Sequence, residues 1–289
     1  MNKQLISRGL FCLIASAAVI GCSKEPQARS LQSDVRNGRT YTFEAVQADS
    51  YPASADGTKT VIENETAVYW SPNDSVNIFY GTTACGKFVG TNTTASAKTS
   101  FNGTFDTFDG NINIGAEDPG FWGVYPYRQD AVCYGSSVSV VVPAVQTAME
   151  GTFAPDLFPA IAKSSGLSLA FYNVCGGIMF TVSQSGITSV TFKGSNGEKI
   201  AGTAKVGIDS NGKPLVSSFT GGATEITVNA PDGTSFKPGA KYYIVAYPAI
   251  LSNGFSLTFN KMLTRGTFSS SSSVSIKRSV FAKLEGKDV

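Results

Sequence analysis

The chain has 289 residues, of which 42% are hydrophobic and 15% charged, and its formal net charge is +2. Its basic residues are scattered rather than clustered, which argues against nucleic acid as a partner, because that binding depends on concentrated positive charge. The sequence has no histidine, which excludes Ser–His and Cys–His catalytic pairs and removes the commonest metal ligand. It also lacks recognisable paired carboxylates, a phosphate-binding glycine loop and EF-hand spacing, so we expect no enzyme activity, no cofactor and no metal site.

The first residues have the pattern of a bacterial lipoprotein signal peptide. Lys3 and Arg8 precede an apolar run that is shorter than a membrane span of about 20 residues and ends at a glycine directly before Cys22. We expect a signal peptide over 1–21, a lipid anchor on Cys22 and a linker over 22–39. The alternative is an ordinary secretory signal with a chance cysteine. Cleavage would remove two of the 23 basic residues and leave 21, equal to the 21 acidic residues.

The stretch 40–46, TYTFEAV, alternates apolar and polar residues and predicts a β-strand. Tyr41, Phe43 and Ala45 fall on one face, which we expect to be buried. A polar loop containing Gly and Pro follows, and Lys59 is its only basic residue. Because a solvated loop is open to proteases, we expect a strand that is tied to the rest of the chain by a connection that can be cut.

The rest of the chain has an all-β texture of short alternating runs separated by Asn-Gly and Asp-Gly turn signals. The predicted strands are 75–80, 137–142, 167–172, 177–183, 187–194, 224–231, 241–248, 255–260 and 273–277. The stretch 148–165 lacks the alternation, and we interpret it as an inter-domain connection with one irregular helical turn.

Two aromatic-rich segments form a weak internal repeat. Residues 120–129 and 241–250 each run into a Tyr-Pro pair, and because proline cannot donate to a strand ladder, we expect each strand to end there at a sheet edge. The repeat favours two related β-sandwich domains, which we place at 40–155 and 156–289.

Several side chains allow two interpretations. Cys85 and Cys133 fit either one disulfide or buried free thiols, and Cys175 has no matching partner. Trp70 and Asp74 favour a packed aromatic residue and a turn cap over a ligand site. Four aromatic residues fit either a carbohydrate-stacking face or, more often at alternate strand positions, the core: Trp122, Tyr125, Tyr127 and Tyr134.

In chain order, several motifs resemble the fimbrillins, the lipoprotein pilins of Bacteroidetes type V pili. They are the lipobox followed by CSKE, TYTFEAV, a loop with TKT, VYWSPNDSVNIFY, the stretch from PAVQ to TFKG, and KYYIVAYP followed by NGFSLTF. Together they span nearly the whole chain after Cys22. The resemblance implies two tandem transthyretin-like β-sandwiches on a lipoprotein that is held at the outer membrane and exposed on the cell surface.

The resemblance also implies assembly by strand exchange between subunits. The first strand, Thr40–Val46, would fill a groove until a trypsin-like protease cuts the Lys59–Thr60 bond, and a terminal segment of the next subunit would then replace it. We place the candidate donor strand in 270–289, where two alternations are separated by Lys-Arg-Ser: Val274 and Ile276, then Val280, Ala282 and Leu284. The same segment is equally well explained as the last strand of the second domain.

One feature departs from the fimbrillin pattern. The best-known members are cut after arginine, whereas this loop offers only Lys59. Either the processing protease accepts lysine, or the chain is an uncut subunit such as a membrane anchor.

The predicted function is therefore a structural subunit or anchor of a cell-surface pilus that supports adhesion. Its expected partners are other pilin subunits, the outer membrane, and a glycan or protein on a host or bacterial surface, with no role for nucleic acid. The alternative is an outer-membrane surface lipoprotein that binds glycans for uptake and stays monomeric, with 40–46 permanently paired.

Overall fold

The structure, a computed structural model, describes residues 40–49, 68–106 and 112–288. In these ranges the protein is all-β, as predicted, with 21 strands and one 3-10 turn. None of the described residues belongs to a helix long and apolar enough to cross a membrane. Four predictions fall on residues that the structure does not describe: the signal peptide 1–21, the lipidated Cys22, the linker 22–39 and the cleavage bond Lys59–Thr60.

The strands form one barrel and four further sheets, and these four sheets make up a second group because they share one core. In chain order they are β1 (Thr40–Gln47), β2 (Ser75–Tyr80), β3 (Ala84–Gly90), β4 (Lys98–Thr104), β5 (Phe121–Tyr125), β6 (Val138–Val142), β7 (Val145–Met149), β8 (Thr152–Phe153), β9 (Ala160–Ser164), β10 (Ser168–Asn173), β11 (Gly176–Phe180), β12 (Ile187–Gly194), β13 (Ala201–Ile208), β14 (Pro214–Ala223), β15 (Glu225–Asn229), β16 (Tyr242–Ala246), β17 (Ala249–Leu251), β18 (Phe255–Lys261), β19 (Arg265–Ser270), β20 (Val274–Ile276) and β21 (Phe281–Leu284).

Seven strands close into a barrel in the order β1, β10, β9, β5, β2, β3 and β4, with β4 returning to β1. Their inward side chains fill the interior with aromatic rings, among them Phe43, Phe88, Phe121 and Phe171. The packing is close enough to require a glycine on β5. A Cβ on Gly123 would lie 2.5 Å from Cζ of Phe171, so glycine leaves the room that this ring occupies.

The second group is built around its own core. A six-stranded sheet (β19-β18-β12-β15-β7-β8) and a three-stranded sheet (β16-β11-β21) both contribute to this core, for example through Phe192 and Ile244, as in a β-sandwich. A second three-stranded sheet (β14-β13-β6) and the pair β17-β20 complete the group. The same core includes Phe79, Trp122 and Ile161 of the barrel strands, so the two groups pack together through apolar side chains.

Strand pairing does not follow the boundary predicted between residues 155 and 156. Strands β6, β7 and β8 precede this boundary and pair in the second group, whereas β9 and β10 follow it and lie in the barrel. The chain therefore passes between the groups three times, a path set by long-range pairing that leaves no local sequence pattern. The division into two folding domains stays a prediction.

The interpretation of 148–165 as a connection with a helical turn is wrong. The stretch contains β8 and β9. Strand β9 does not alternate because both of its faces are covered: Ala160 and Ala162 join the barrel core, and Ile161 joins the core of the second group.

Both Tyr-Pro pairs mark strand ends, as predicted, since β5 ends at Tyr125 and β16 ends directly before Tyr247. The expected edge position is confirmed for β16, which lies at one end of its sheet. It is wrong for β5, which lies between β2 and β9. Its ladder ends at Tyr125, so the following proline removes no hydrogen bond from the sheet.

Candidate functional site

Strand β1 is paired on both sides and is the strand that closes the barrel. It runs antiparallel to β4 over seven residue pairs and parallel to β10 over four. Strand β1 closes the barrel because it bridges β4 and β10, which would otherwise be free edges, and the transthyretin-like sandwich expected for the first domain stays a prediction. The candidate site is the groove between β4 and β10 that β1 fills.

The three residues predicted to face inward on β1 lie in the barrel core. Tyr41, Phe43 and Ala45 are 5%, 0% and 1% exposed. The ring of Phe43 packs edge-on against Phe88 and Phe121, with centroids 5.3 and 5.1 Å apart. The predicted alternation is therefore confirmed, whereas removal of the strand stays a prediction.

The outer face of β1 carries exposed polar contacts to β4. Thr42 Oγ1 donates to Asn102 Oδ1 at 2.8 Å, and Ser100 Oγ donates to Glu44 Oε1 at 2.9 Å. Exposed hydrogen bonds contribute little net stability because water competes for both partners. The backbone ladders and the inward side chains therefore hold β1 in its groove.

The C-terminal segment forms two short strands within the second group. Strand β20 pairs antiparallel with β17, and β21 pairs parallel with β11 at a sheet edge. Of the candidate donor residues, Ile276 is buried, and three are half-buried: Val274, Ala282 and Leu284. In this structure the segment forms two strands that pair with β17 and β11 of its own chain, and its transfer to a neighbour stays a prediction.

Val280, a candidate donor residue, directly precedes β21 and is 49% exposed, and the adjacent Phe281 packs against the core of the second group. Insertion of Val280 into the groove of a neighbouring subunit stays a prediction. The Phe281 ring lies 5.2 Å from Tyr243 and 5.5 Å from Phe158. The C-terminal segment is therefore held in its own chain by Phe281, a residue outside the predicted alternation.

Trp70 and Asp74 have the structural roles that the sequence favours. Trp70 is fully buried, with its ring 5.0 Å from that of Phe171. Asp74 Oδ2 accepts a hydrogen bond from the Ser71 amide at 2.7 Å, as a turn cap does. Burial raises the pKa of Asp74 to about 6, because it removes water from the carboxylate; the Ser71 hydrogen bond opposes this shift and the charge of Asp156 adds to it.

The four aromatic residues considered for carbohydrate stacking do not form one exposed face. Trp122 and Tyr125 are buried, and Tyr127 is half-buried. Tyr134 is exposed, and the Lys205 ammonium lies 4.1 Å from its ring centroid. The core interpretation is therefore confirmed for Trp122 and Tyr125.

The three cysteines in the described part of the chain, Cys85, Cys133 and Cys175, are free thiols. Burial raises the pKa of all three thiols, most strongly for the fully buried Cys175, because it disfavours the thiolate. Of the two alternatives, the structure therefore has free thiols rather than a disulfide. Over the described residues, no group of three or more cysteine or carboxylate side chains is arranged to hold a metal ion.

Several parts of the β1 site were not identified from the sequence. Phe105, which follows β4, has its ring 5.3 Å from Tyr41, and Phe171 of β10 lies in the same core. Alternation identified most of β10 as a strand, but a parallel pairing between residues more than 120 positions apart has no local signal. Local pattern also does not single out Asp49, which lies two residues beyond β1.

Comparison with known proteins gives distant similarities. No family model matches the sequence, and no curated protein matches it. One solved structure that is similar is a proposed cell adhesion protein from Bacteroides ovatus, with 12% sequence identity, a TM-score of 0.45, and 80% of this chain and 86% of that chain covered. Another is a proposed cell adhesion protein from Bacteroides thetaiotaomicron, with 10% identity, a TM-score of 0.34, and 84% and 91% covered. These similarities are too distant to assign a family or a function.

Proposed function

We propose that this chain is a structural subunit, or the membrane anchor, of a cell-surface type V pilus, and that it assembles by exchanging β1 for a strand of a neighbouring subunit. The observation that supports this proposal is the position of β1, which fills the groove between β4 and β10 and inserts three side chains into the barrel core. The protein acts without catalysis, as a lipoprotein held at the outer membrane through Cys22. Adhesion follows from display of the fibre toward a surface glycan or protein.

Removal of β1 would leave an empty groove that favours binding of a replacement strand. The departing strand would leave unpaired backbone groups on β4 and β10 and empty the pockets of Tyr41, Phe43 and Ala45. Full burial of a large apolar side chain contributes about 1.5–3 kcal/mol, so an incoming strand that refills these pockets gains several kcal/mol in addition to its backbone hydrogen bonds. Because β4 and β10 border the groove, an incoming strand would restore both backbone ladders.

The barrel without β1 can be related to the transthyretin-like fold that we propose. Without β1, the six remaining barrel strands would form an open sheet that ends at β4 and β10. We propose that this open form corresponds to the first of two transthyretin-like sandwiches, with the second strand group as the other. Strand exchange then closes each barrel with a strand from another chain.

The test is limited digestion of the soluble chain, from residue 24, with a Lys/Arg-specific protease. Intact mass, N-terminal sequence and size-exclusion profile are followed together. An early cut after Lys59, loss of 40–46 and growth of ladders of subunits support the subunit role. The variant Lys59→Gln is the control, and it should delay the cut and the ladders equally.

A synthetic peptide sharpens the same experiment. TYTFEAV added to the cut chain should refill the groove and stop ladder growth, whereas the same peptide with Asp in place of Phe43 should not, because a carboxylate cannot enter the aromatic pocket. If the Lys59–Thr60 bond resists the protease and the uncut chain binds cut subunits, the anchor role is supported. A cut chain that stays monomeric with its first strand bound contradicts strand exchange, and glycan arrays would then test the uptake alternative.

A further inference from the structure

A polar network joins the end of β1 to the C-terminal segment of the chain. Asp49 lies two residues beyond β1, and its Oδ2 forms an ion pair with Arg278 Nη1. The same oxygen accepts hydrogen bonds from the Asn173 amide at 2.8 Å and from Ser279 Oγ at 3.2 Å. One carboxylate oxygen therefore receives donors from β10 and from the turn between β20 and β21.

The turn that carries Arg278 and Ser279 is held at this site by further contacts besides the ion pair. Arg278 Nη1 also donates to the Asn173 carbonyl at 3.3 Å, and its guanidinium carbon lies 6.0 Å from the centroid of the Tyr172 ring. Ser279 has a left-handed backbone conformation with φ of 59°, and its amide donates to the Cys175 carbonyl at 2.8 Å. The Lys-Arg-Ser sequence that interrupts the apolar alternation is therefore the point where the C-terminal segment attaches to β10.

Burial distinguishes this ion pair from surface pairs of the same chain. The side chains of Asp49 and Arg278 are 11% and 23% exposed, whereas those of Arg128 and Asp130 are 42% and 71% exposed. Exposed pairs contribute little because water screens both charges, but removing one partner of a largely buried pair leaves an uncompensated charge. The Asp49–Arg278 contact is thus sensitive to the loss of either residue.

We propose that Asp49 and Arg278 form a latch that couples occupancy of the β1 groove to retention of the β20–β21 segment. The inference rests on the proposed strand exchange: a cut after Lys59 would separate Asp49 from the subunit together with β1. Arg278 would then lose its carboxylate, and the turn at Ser279 would lose one of its acceptors. The C-terminal segment would therefore be held less firmly in a subunit whose groove has been vacated, which favours its donation after the cut rather than before it.

The latch is tested on the uncut chain by hydrogen exchange with mass-spectrometric readout. Asp49→Asn should raise exchange of the amides in 274–284 by about tenfold, the effect of losing a charge-assisted hydrogen bond. Arg278→Gln should raise exchange in 40–47 by a similar factor, because thermodynamic coupling is reciprocal. Asp130→Asn is the matched control from an exposed pair and should change neither segment.

A second set of variants distinguishes loss of the latch from misfolding of the variant. Ser279→Ala removes a single donor to Asp49 and should produce the same pattern with a smaller amplitude. Arg278→Lys keeps the charge and should retain part of the protection. If Asp49→Asn raises exchange only in β1 and leaves 274–284 unchanged, the two segments are not coupled and the latch is wrong.

The latch and the proposed function fail in different experiments. Exchange measured on uncut protein does not depend on processing or assembly. Coupled exchange in a chain that never forms ladders contradicts the pilus subunit and leaves the contact between the segments established. Uncut wild-type and uncut Asp49→Asn chains that bind to cut subunits at equal rates contradict the latch, since the variant should donate its C-terminal segment more readily.

Discussion

The ring of Phe43 on β1 contacts the ring of Phe121 on β5 across the interior of the barrel, with centroids 5.1 Å apart and planes inclined by 72°. The two strands are not neighbours in the sheet, because β10 and β9 lie between them. The contact therefore ties the strand that closes the barrel to its opposite wall. Loss of β1 would expose Phe121 as well as the strand edges.

Phe43→Ala should destabilise the chain by about 3–5 kcal/mol, the usual effect of removing a buried aromatic ring from a core that cannot collapse. Urea unfolding followed by tryptophan fluorescence measures this change, since Trp70 lies in the same core. Thr42→Ala is the control on the exposed face of the same strand, and it should cost well under 1 kcal/mol. Equal effects of the two changes would show that the inward face of β1 is not the part that holds it.

Asp74 should make the protein less stable as the pH rises from about 4 to 6. Its pKa in the folded state, about 6, lies above the ordinary 3.8, so the folded protein binds more protons than the unfolded chain in this window. Its contribution is fully present below pH 3.8 and is lost as the pH rises through 6. Asp74→Asn should remove this dependence and raise stability at pH 7 by about 1–3 kcal/mol.

The measurement for Asp74 is urea unfolding of wild type and variant at several pH values between 3.5 and 7.5. An NMR titration of the Asp74 carboxyl carbon should give a midpoint near 6. A midpoint near 4, or a variant that is less stable at pH 7 than at pH 4 relative to wild type, would show that the carboxylate is well solvated.

Asp288 should have the opposite pH dependence. Burial acts to raise its pKa, but hydrogen bonds from the Gln184 amide and from the Ser183 amide and hydroxyl, 2.7–2.9 Å long, outweigh it and hold the pKa below the ordinary value. The stability that it contributes is present above pH 3.8 and is lost as the pH falls through its folded-state pKa. Asp288→Asn should cost about 1–3 kcal/mol at pH 7 and have less effect at pH 2.5, as measured by thermal unfolding.

Gly176→Ala should displace the turn that carries Arg278. A Cβ on Gly176 would lie 1.9 Å from the Lys277 carbonyl oxygen and 2.6 Å from that of Val280. Both oxygens belong to the backbone, so the clash can be relieved only if the turn moves. Hydrogen exchange in 281–284 should rise strongly, and exchange in β1 should rise with it if the latch holds both segments.

Gly166→Ala provides the control for that substitution. A Cβ at Gly166 would meet no atom within 4 Å, and its backbone conformation is open to other residues. The change should be neutral or slightly stabilising, because alanine restricts the unfolded chain. Local exchange at 281–284 that rises equally in both variants would contradict the steric explanation.

Local pattern was sufficient to predict the all-β class, the alternation of 40–46 and the burial of Tyr41, Phe43 and Ala45. These features depend on the two-residue period of a strand, which can be detected from a few consecutive residues. The same reasoning identified Trp70 as a core residue and Asp74 as a turn cap, since the turn chemistry of Ser-Pro-Asn-Asp is local.

Tertiary structure decided which strands meet. The parallel pairing of β1 with β10, the closure of the barrel and the alternating path of the chain between two strand groups all join residues that are far apart in sequence. Strand β9 was not predicted because burial of both faces removes the alternation, and the packing of Phe281 depends on Phe158 and Tyr243, which only the fold brings next to it. The ion pair of Asp49 with Arg278 joins residues at opposite ends of the described chain, and only the fold brings their charges together.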